Sequence, residues 1–194
     1  LARTLDAINR ELRDIEGGMR EQAMALAEHL FTDEETPPPA ISVFDAAFHE
    51  GVVGIVASRL KERFHRPTFV FAASAGPGGE LKGSGRSIPG FHLRDALDLV
   101  AKRHPELLRR FGGHAMAAGC TIGAEDFPRF EAALAQVAQE WLDAATLTRQ
   151  IDTDGPLAPE YRRPELVDTL AREVWGQGFA PPTFSEEIEV LSQR

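Results

Sequence analysis

Apolar residues recur at helical spacing along the start of the chain. Their separations of three, four or seven residues place them on one side of an α-helix: Leu1, Leu5, Ile8, Leu12, Ile15, Met19, Leu26 and Leu30. Gly17 and Gly18 interrupt this run and predict a bend in the helix. Residues 33–40 are acidic and proline-rich, which is typical of a linker. We therefore predict a long helix over residues 1–32, joined by a linker over 33–40 to a separate domain.

After the linker, the pattern alternates between strand-like and helix-like segments. Runs rich in β-branched and aromatic residues, or bounded by glycine turns, predict strands over residues 41–46, 68–73, 80–87 and 115–122. Helical spacing predicts helices over residues 51–64, 91–103 and 125–142. The order β-α-β-β-α-β-α predicts an α/β domain over 41–145, with a mixed sheet flanked by helices.

A third segment, 146–194, has a different pattern. It predicts a strand near Ile151, a helix over 164–174 and a strand over 186–192, separated by a Gly/Pro loop. This set of elements is too small for a complete domain. Together with the abrupt beginning at Leu1 and end at Arg194, it leads us to expect a fragment of a longer chain.

Composition narrows the class of protein. With 194 residues, 43% of them hydrophobic and 26% charged, the chain suits one well-packed globular domain and a smaller module. No apolar run approaches the ~20 residues that span a bilayer, and no secretory leader pattern is present. Cys120 is the single cysteine, so no internal disulfide forms, and we expect it to be a buried packing residue. These features predict a cytoplasmic protein with no membrane partner.

The charge is unevenly distributed. A net charge of −9 disfavours a generally basic nucleic-acid binder, yet residues 82–114 hold seven Lys and Arg against three Asp and Glu, a net +4. A locally positive surface on an acidic protein can steer a polyanion to one face. Solvated helix charges are a serious alternative for Arg94, Lys102 and Arg103.

Two glycine-rich segments carry candidate chemistry. In residues 82–90, glycines expose backbone N–H groups, Ser84 and Ser87 add hydroxyls, and the guanidinium of Arg86 fits a phosphate bidentately. The segment lacks the Gly-Lys-Ser/Thr ending of a nucleotide-binding P-loop. It is either a phosphate cradle or a glycine-rich strand end with an exposed arginine.

The second segment is 111–122, where Gly112 and Gly113 precede His114 and a run of small residues. Glycine permits positive φ and close approach of another group. A tight Gly-Gly turn would therefore present the imidazole to a ligand at the mouth of a strand, although an ordinary loop is the alternative. His49 and Glu50 either begin a further site or cap the helix that follows them.

The order of these motifs resembles a known family. Residues 48–60, 83–88 and 112–119 resemble the DHHA1 domain of the RecJ family of single-strand-specific 5′→3′ DNA exonucleases, in the DHH phosphoesterase superfamily. Residues 8–16 look like that family's helix between the catalytic DHH domain and DHHA1, and residues 174–184 look like the segment that leads into its OB-fold. The resemblance implies a long connector helix, a DHHA1-like α/β domain over 41–145 and the truncated start of an OB-fold domain over 146–194.

The resemblance also implies a function in DNA repair and recombination. In the family, the DHH domain holds two Mn²⁺ or Mg²⁺ ions that activate water for phosphodiester hydrolysis, and DHHA1 closes the other side of the cleft. By position, Ser84 and Arg86 would hold the 5′ phosphate of single-stranded DNA, while Gly112, Gly113 and His114 would approach the reacting nucleotide. Ser87 and His49 are further substrate-binding candidates.

The metal-binding DHH residues do not occur in this sequence. The resemblance therefore implies that the chain needs the DHH domain of the same protein as its partner. It also implies that this chain alone holds no metal cofactor and hydrolyses no DNA, that His114 is a candidate contributor to catalysis, and that the protein is a monomer.

Two other functions remain open at this stage. One is a DHH–DHHA1 phosphoesterase that acts on short RNA or cyclic dinucleotides, against which the OB-type segment after Trp175 argues. The other is a non-catalytic DHHA1-type nucleic-acid-binding module, against which the connector helix argues.

Overall fold

The computed structural model of the protein describes residues 2–32, 38–76, 78–176, 179–189 and 192. The chain divides into two compact units, Leu1–Arg149 and Gln150–Arg194. The elements of the first unit are α1 Ala2–Thr32, β1 Ile41–Phe44, α2 Val53–Phe64, β2 Thr68–Ala73, β3 Glu80–Arg86, α3 Leu93–Arg103, β4 Arg110–Gly113, β5 Ala117–Gly123 and α4 Phe127–Trp141.

The five strands form one mixed sheet in the order β1-β2-β3-β5-β4. β1 and β2 are parallel and connected through α2, whereas the other neighbouring strands are antiparallel. Apolar residues of α1 and α2 pack on β1 and β2 from one side, and those of α3 and α4 pack on the opposite side. The predicted α/β class and helix-flanked mixed sheet are confirmed.

The first helix is continuous through Gly17 and Gly18, so the two glycines do not end the helical segment. Met19, Ala23 and Ala27 recur at helical spacing and are buried in the same apolar cluster as α2. Within the predicted linker, residues 33–37 lie outside the described residues. None of the helices in the described ranges is both long and apolar enough to cross a membrane.

Two glycines of β3 make room for aromatic rings of the core. A Cβ atom at Gly83 would lie 2.3 Å from the Phe71 ring, and one at Gly85 would lie 2.5 Å from the Phe69 ring. Both rings also pack edge-on against Phe130 of α4. Part of the glycine content of residues 82–90 is therefore explained by core packing rather than by ligand binding.

The sequence missed β4, which is the edge strand of the sheet. Gly112 and Gly113 belong to this strand rather than to a turn, and the turn itself begins at His114. The strand has four residues, of which Phe111 alone is a large apolar side chain, so it shows no alternation from which a strand can be predicted. β5 begins at Ala117, two residues later than the predicted 115.

In the second unit, a helix α5 forms over Pro164–Arg172 and ends before the predicted position 174. The predicted strands near Ile151 and over 186–192 do not form in the described residues there, 179–189 and 192 included. Trp175 stacks on Phe179 and its indole N–H donates to the Leu170 carbonyl. None of the described residues after 149 is buried, so such strands lack the neighbouring strands and apolar face that would stabilise them.

Candidate nucleic-acid interface

One face of the sheet is open where β3, β5 and β4 lie side by side. Residues opposite one another in the strand register share a face, and every second residue along a strand returns to it. We call this surface the open face; its residues, all partly or fully exposed, are Lys82, Ser84 and Arg86 on β3, Ala117, Gly119 and Thr121 on β5, and Arg110 and Gly112 on β4.

The middle of the open face has almost no side chains. Ser84, Gly119 and Gly112 lie opposite one another across the three strands. A Cβ atom at Gly112 would contact nothing within 4 Å, and one at Gly119 would meet only the Gly83 carbonyl oxygen, at 3.4 Å. The fold therefore does not require glycine at either position on steric grounds, in contrast to the core-facing glycines of β3. What these two glycines provide is a flat backbone surface that a ligand can approach closely.

Arg86 lies at one end of this surface in a fixed position. Its Nη1 donates to Ser84 Oγ at 3.1 Å and to the Gly85 carbonyl oxygen at 2.9 Å. A Cβ atom at Gly54 of α2 would lie 2.9 Å from Arg86 Nη2, so the glycine lets the helix pack against the guanidinium. Among the described residues, no carboxylate lies within 4 Å of Arg86. The guanidinium is therefore held in place without a counter-charge and can receive an anion.

His114 lies in a hairpin turn that is held at several points. Its backbone N–H donates to the Ala117 carbonyl oxygen at 2.7 Å, which places His114 beside the strand residue opposite Arg86. The carbonyl oxygen of Ala115 accepts from the Leu93 N–H at 2.9 Å, which ties the turn to the start of α3. The His114 side chain is exposed on this turn.

Gly113, the last residue of β4, allows the chain to enter the same turn. Its φ is +140°, and a Cβ atom there would lie 2.4 Å from the Ala118 Cα atom. Both the backbone angle and the close approach exclude a side chain. The adjacent glycines of the Gly112-Gly113-His114 segment thus have different reasons to be glycine: one leaves the surface open, and the other allows the turn.

Ser87 lies off the open face, in contrast to the sequence expectation. It is 1% exposed, and its hydroxyl donates to the Phe91 carbonyl oxygen at 2.5 Å. Its backbone N–H donates to the Met116 carbonyl oxygen at 3.0 Å. Side chains alternate along β3, so the residue that follows Arg86 points to the core side of the sheet. Ser87 supports the His114 turn from behind, and its hydroxyl is not available to a substrate.

Glu50 lies at the edge of the open face, and His49 precedes it in the turn before α2. His49 Nδ1 accepts from the Gly51 N–H at 3.1 Å, which closes a turn before α2 and is not an N-cap of that helix. Glu50 Oε2 accepts from Lys82 Nζ at 2.9 Å, and this contact holds the pKa of the Glu50 carboxyl below its usual range. The structure thus brings Ser84, Arg86 and the Gly112–His114 segment together, whereas His49 contacts Gly51 and Met19.

Most of the positive charge in residues 82–114 is neutralised locally. Five of the seven basic residues pair with carboxylates: Lys82 with Glu50, Arg94 and Lys102 with Asp98, Arg103 with Glu140, and Arg109 with Glu80. These pairs favour the alternative of solvated helix charges for Arg94, Lys102 and Arg103. Arg86 and Arg110 have no such pair in the described part of the chain, and both belong to the open face. Sequence reasoning did not single out Arg110, because its strand was not predicted.

The described residues do not fit a hydrolytic metal centre. They contain no group of three or more His, Cys, Asp or Glu side chains that could hold a metal ion. Cys120 is buried on the core side of β5, and burial raises the pKa of its thiol, which suits a packing residue rather than a nucleophile. The chemistry that this surface can provide is recognition of an anion beside an exposed imidazole.

Residues 38–140 match the family model of the DHHA1 domain, and the chain belongs to the DHHA1 domain family. Along its whole length it is similar to the single-stranded-DNA-specific exonuclease RecJ of Dickeya dadantii, with 46% identity over 100% of this chain and 34% of that protein. RecJ of Salmonella typhimurium is 43% identical over 100% of this chain and 33% of its own length. The sequence resemblance to the RecJ family is thereby confirmed.

The fold agrees with these relatives. The crystal structure of RecJ in complex with Mn²⁺ from Thermus thermophilus matches 93% of this chain and 25% of that chain, with 30% identity and a TM-score of 0.71. The chain spans about one third of the length of the curated relatives it matches.

Proposed function

We propose that this chain is the DHHA1 part of a single-stranded-DNA 5′→3′ exonuclease of the RecJ type, and that the open face holds the 5′-phosphorylated end of the strand. The observation that carries the proposal is the position of Arg86. Its guanidinium is fixed by Ser84 and Gly54, lacks a carboxylate partner among the described residues, and adjoins a glycine surface without side chains. The relatives named above are single-stranded-DNA-specific exonucleases, which supports this substrate.

A terminal phosphate at this position would accept charge-assisted hydrogen bonds from the guanidinium and the Ser84 hydroxyl. The backbone of Gly112 and Gly119 would let the first sugar and base lie close to the sheet. The His114 N–H donates to the Ala117 carbonyl oxygen, and Ala117 lies opposite Arg86 in the strand register. A phosphate bound by Arg86 would therefore have His114 on the side towards β4. The imidazole can there donate a hydrogen bond to the reacting nucleotide.

The proposal assigns hydrolysis to groups outside this chain. Two Mn²⁺ or Mg²⁺ ions would be held by a DHH domain of the same protein, and when bound they would supply activated water. The RecJ structures of Thermus thermophilus were obtained with Mg²⁺ and with Mn²⁺, which supports the choice of metals. We further propose that the full-length protein works as a monomer in the cytoplasm, in DNA repair and recombination.

A nuclease assay tests this division directly. The full-length protein is expected to degrade 5′-phosphorylated single-stranded DNA in the presence of Mn²⁺, because it would contain both walls of the cleft. This chain alone is expected to leave the same DNA intact, because its described residues offer no metal-binding group. The length of the labelled DNA after incubation is the measurement. Metal-dependent degradation by the chain alone would contradict the proposal.

His114→Ala in the full-length protein is expected to lower turnover more than it lowers affinity for long single strands. The reason is that one exposed imidazole at the reacting end adds little to the total contact with a long strand. General acid–base or hydrogen-bonding groups contribute ~10²–10⁴-fold to rate, so a loss of at least about tenfold in kcat is expected. Single-turnover cleavage and equilibrium binding separate the two effects.

Met116→Ala is the matched control, because Met116 is exposed on the same turn and carries no polar group. Its kcat should remain near that of the unmodified protein. A His114→Ala protein that loses affinity for long strands while its kcat is unchanged would show that the imidazole grips the strand instead of acting at the reacting end.

A further inference from the structure

A second basic position lies on the open face, away from Arg86. A shallow depression of about 290 Å³ has Lys82 on one wall and Arg110 on the other, with Gly119 and Thr121 in its floor. Lys82, Thr121 and Arg110 lie opposite one another across β3, β5 and β4. Two basic residues therefore lie on either side of a floor made of backbone and small side chains.

The depression is too far from Arg86 to serve the same phosphate. Ser84 holds the Arg86 guanidinium, and Thr121 lies at the centre of the depression. Thr121 is on the neighbouring strand and is displaced from Ser84 by two residues in the register. With ~4.8 Å between strands and ~3.4 Å per residue, the centres of the two positions are about 8 Å apart. A hydrogen bond joins heavy atoms ~3 Å apart, so a phosphate centred at one position does not reach the centre of the other. Each strand of duplex DNA has one phosphate per ~3.4 Å of helix axis, and the phosphates of an extended single strand lie further apart. A phosphate near the 5′ end of the same strand can therefore reach the depression.

The charges at the depression are suited to an anion. Arg110 is exposed and, in the described ranges, has no carboxylate within 4 Å. The Nζ atom of Lys82 is held at the rim by Glu50 at 2.9 Å. Exposed ion pairs of this kind are worth ~1 kcal/mol or less, so a phosphate can compete with the Glu50 carboxylate for Lys82.

We propose that Arg110 and Lys82 bind an internal phosphate of the single strand whose 5′ end lies at Arg86. The inference rests on the proposed function, and it adds a direction: the strand crosses the sheet from β3 and Arg86 towards β4 and Arg110. Arg110 is a substrate-positioning residue in this account, and its contribution requires a strand longer than one nucleotide.

The test is a double-mutant cycle between a side chain and a phosphate. The full-length protein and its Arg110→Ala variant are titrated in EDTA, which prevents cleavage, with a 5′-phosphorylated oligodeoxythymidine. A series of oligonucleotides replaces one internal phosphate at a time, near the 5′ end, with a neutral methylphosphonate. Arg110→Ala is expected to lower affinity for the unmodified strand about tenfold and to reduce the slope of log affinity against log salt by about 0.7. One methylphosphonate is expected to weaken the unmodified protein by a similar factor and to leave the variant unaffected.

Lys102→Ala is the matched control, because Lys102 is a lysine of α3 that pairs with Asp98, and its loss changes the net charge equally. Its affinity should stay within about twofold of that of the unmodified protein. Glu50→Gln should raise affinity by up to about fivefold, because it releases Lys82. Lys82→Ala should lower affinity for the unmodified strand, and an unchanged affinity in that variant would contradict the role of Lys82.

Two further outcomes separate the inference from the proposed function. The second phosphate position is wrong if Arg110→Ala binds the strand normally while Arg86 is still needed for binding. It is also wrong if no methylphosphonate position is coupled to Arg110. In either case the proposed function stands. If the unmodified protein does not bind the oligonucleotide at all, both are wrong.

Discussion

Replacing Arg86 with alanine is expected to remove most of the preference of the full-length protein for 5′-phosphorylated ends. Ser84 holds the guanidinium in place, and no carboxylate in the described part of the chain competes with a phosphate for it. Removing the guanidinium should therefore act mainly on the bound phosphate. A hydrogen bond to a charged group contributes ~1.5–3 kcal/mol, which corresponds to a loss of about tenfold to 100-fold in the preference. The ratio of initial degradation rates for phosphorylated and unphosphorylated DNA measures it.

Arg86→Lys is an informative companion variant. Lysine keeps the positive charge but loses the planar fork that binds two phosphate oxygens, so an intermediate preference is expected. Lys102→Ala on the other side of the sheet controls for net charge and should keep the full preference. An Arg86→Ala protein that discriminates between the two ends as well as the unmodified protein would show that the 5′ phosphate binds elsewhere.

Gly113→Ala is expected to destabilise the first unit, whereas Gly112→Ala is not. An alanine at 113 would have to adopt a φ of +140° with its Cβ atom 2.4 Å from the Ala118 Cα. Backbone strain of this kind costs ~1–3 kcal/mol before the steric clash is added. With a total of about 2 kcal/mol, the melting temperature should fall by about 4–8 °C or more, since a chain of 150–250 residues loses ~2–4 °C per kcal/mol.

Gly112→Ala supplies the matched control. Its Cβ atom would contact nothing within 4 Å, so the melting temperature should change by less than about 2 °C. The added methyl group would instead stand on the open face and weaken binding of the strand. Equal melting temperatures for the two variants would contradict the different roles assigned to these adjacent glycines.

The sequence predicted those parts of the fold that have a clear local pattern. β2 was predicted with its observed bounds, Thr68–Ala73, because all six of its residues are favourable for a buried strand. α4 was predicted because its apolar residues recur at helical spacing over four turns. The edge strand β4 was missed because its identity depends on pairing with β5, a tertiary contact that four residues ending in two glycines do not indicate.

The candidate site was predicted in part. Ser84 and Arg86 could be placed on one side of a strand because they are two residues apart. Ser87 was grouped with them by composition, although the alternation that places Ser84 and Arg86 on one side of the strand puts Ser87 on the other. The Lys82–Glu50 pair joins residues 32 positions apart, and no local pattern shows it. The role of each glycine could not be predicted either, because it is set by tertiary contacts. Gly83 makes room for a core ring, whereas Gly119 leaves the open face without a side chain.

The central claim is that a single strand of DNA lies on the face formed by β3, β5 and β4. Amide chemical-shift mapping of this chain with a 5′-phosphorylated oligodeoxythymidine tests it most directly, because the method detects weak binding and the backbone of Gly112 and Gly119 reports on close approach. We expect the largest shifts at Ser84, Arg86, Gly112, His114 and Gly119. Shifts confined to α3 and α4 on the opposite side of the sheet, or none at saturating oligonucleotide, would contradict the claim.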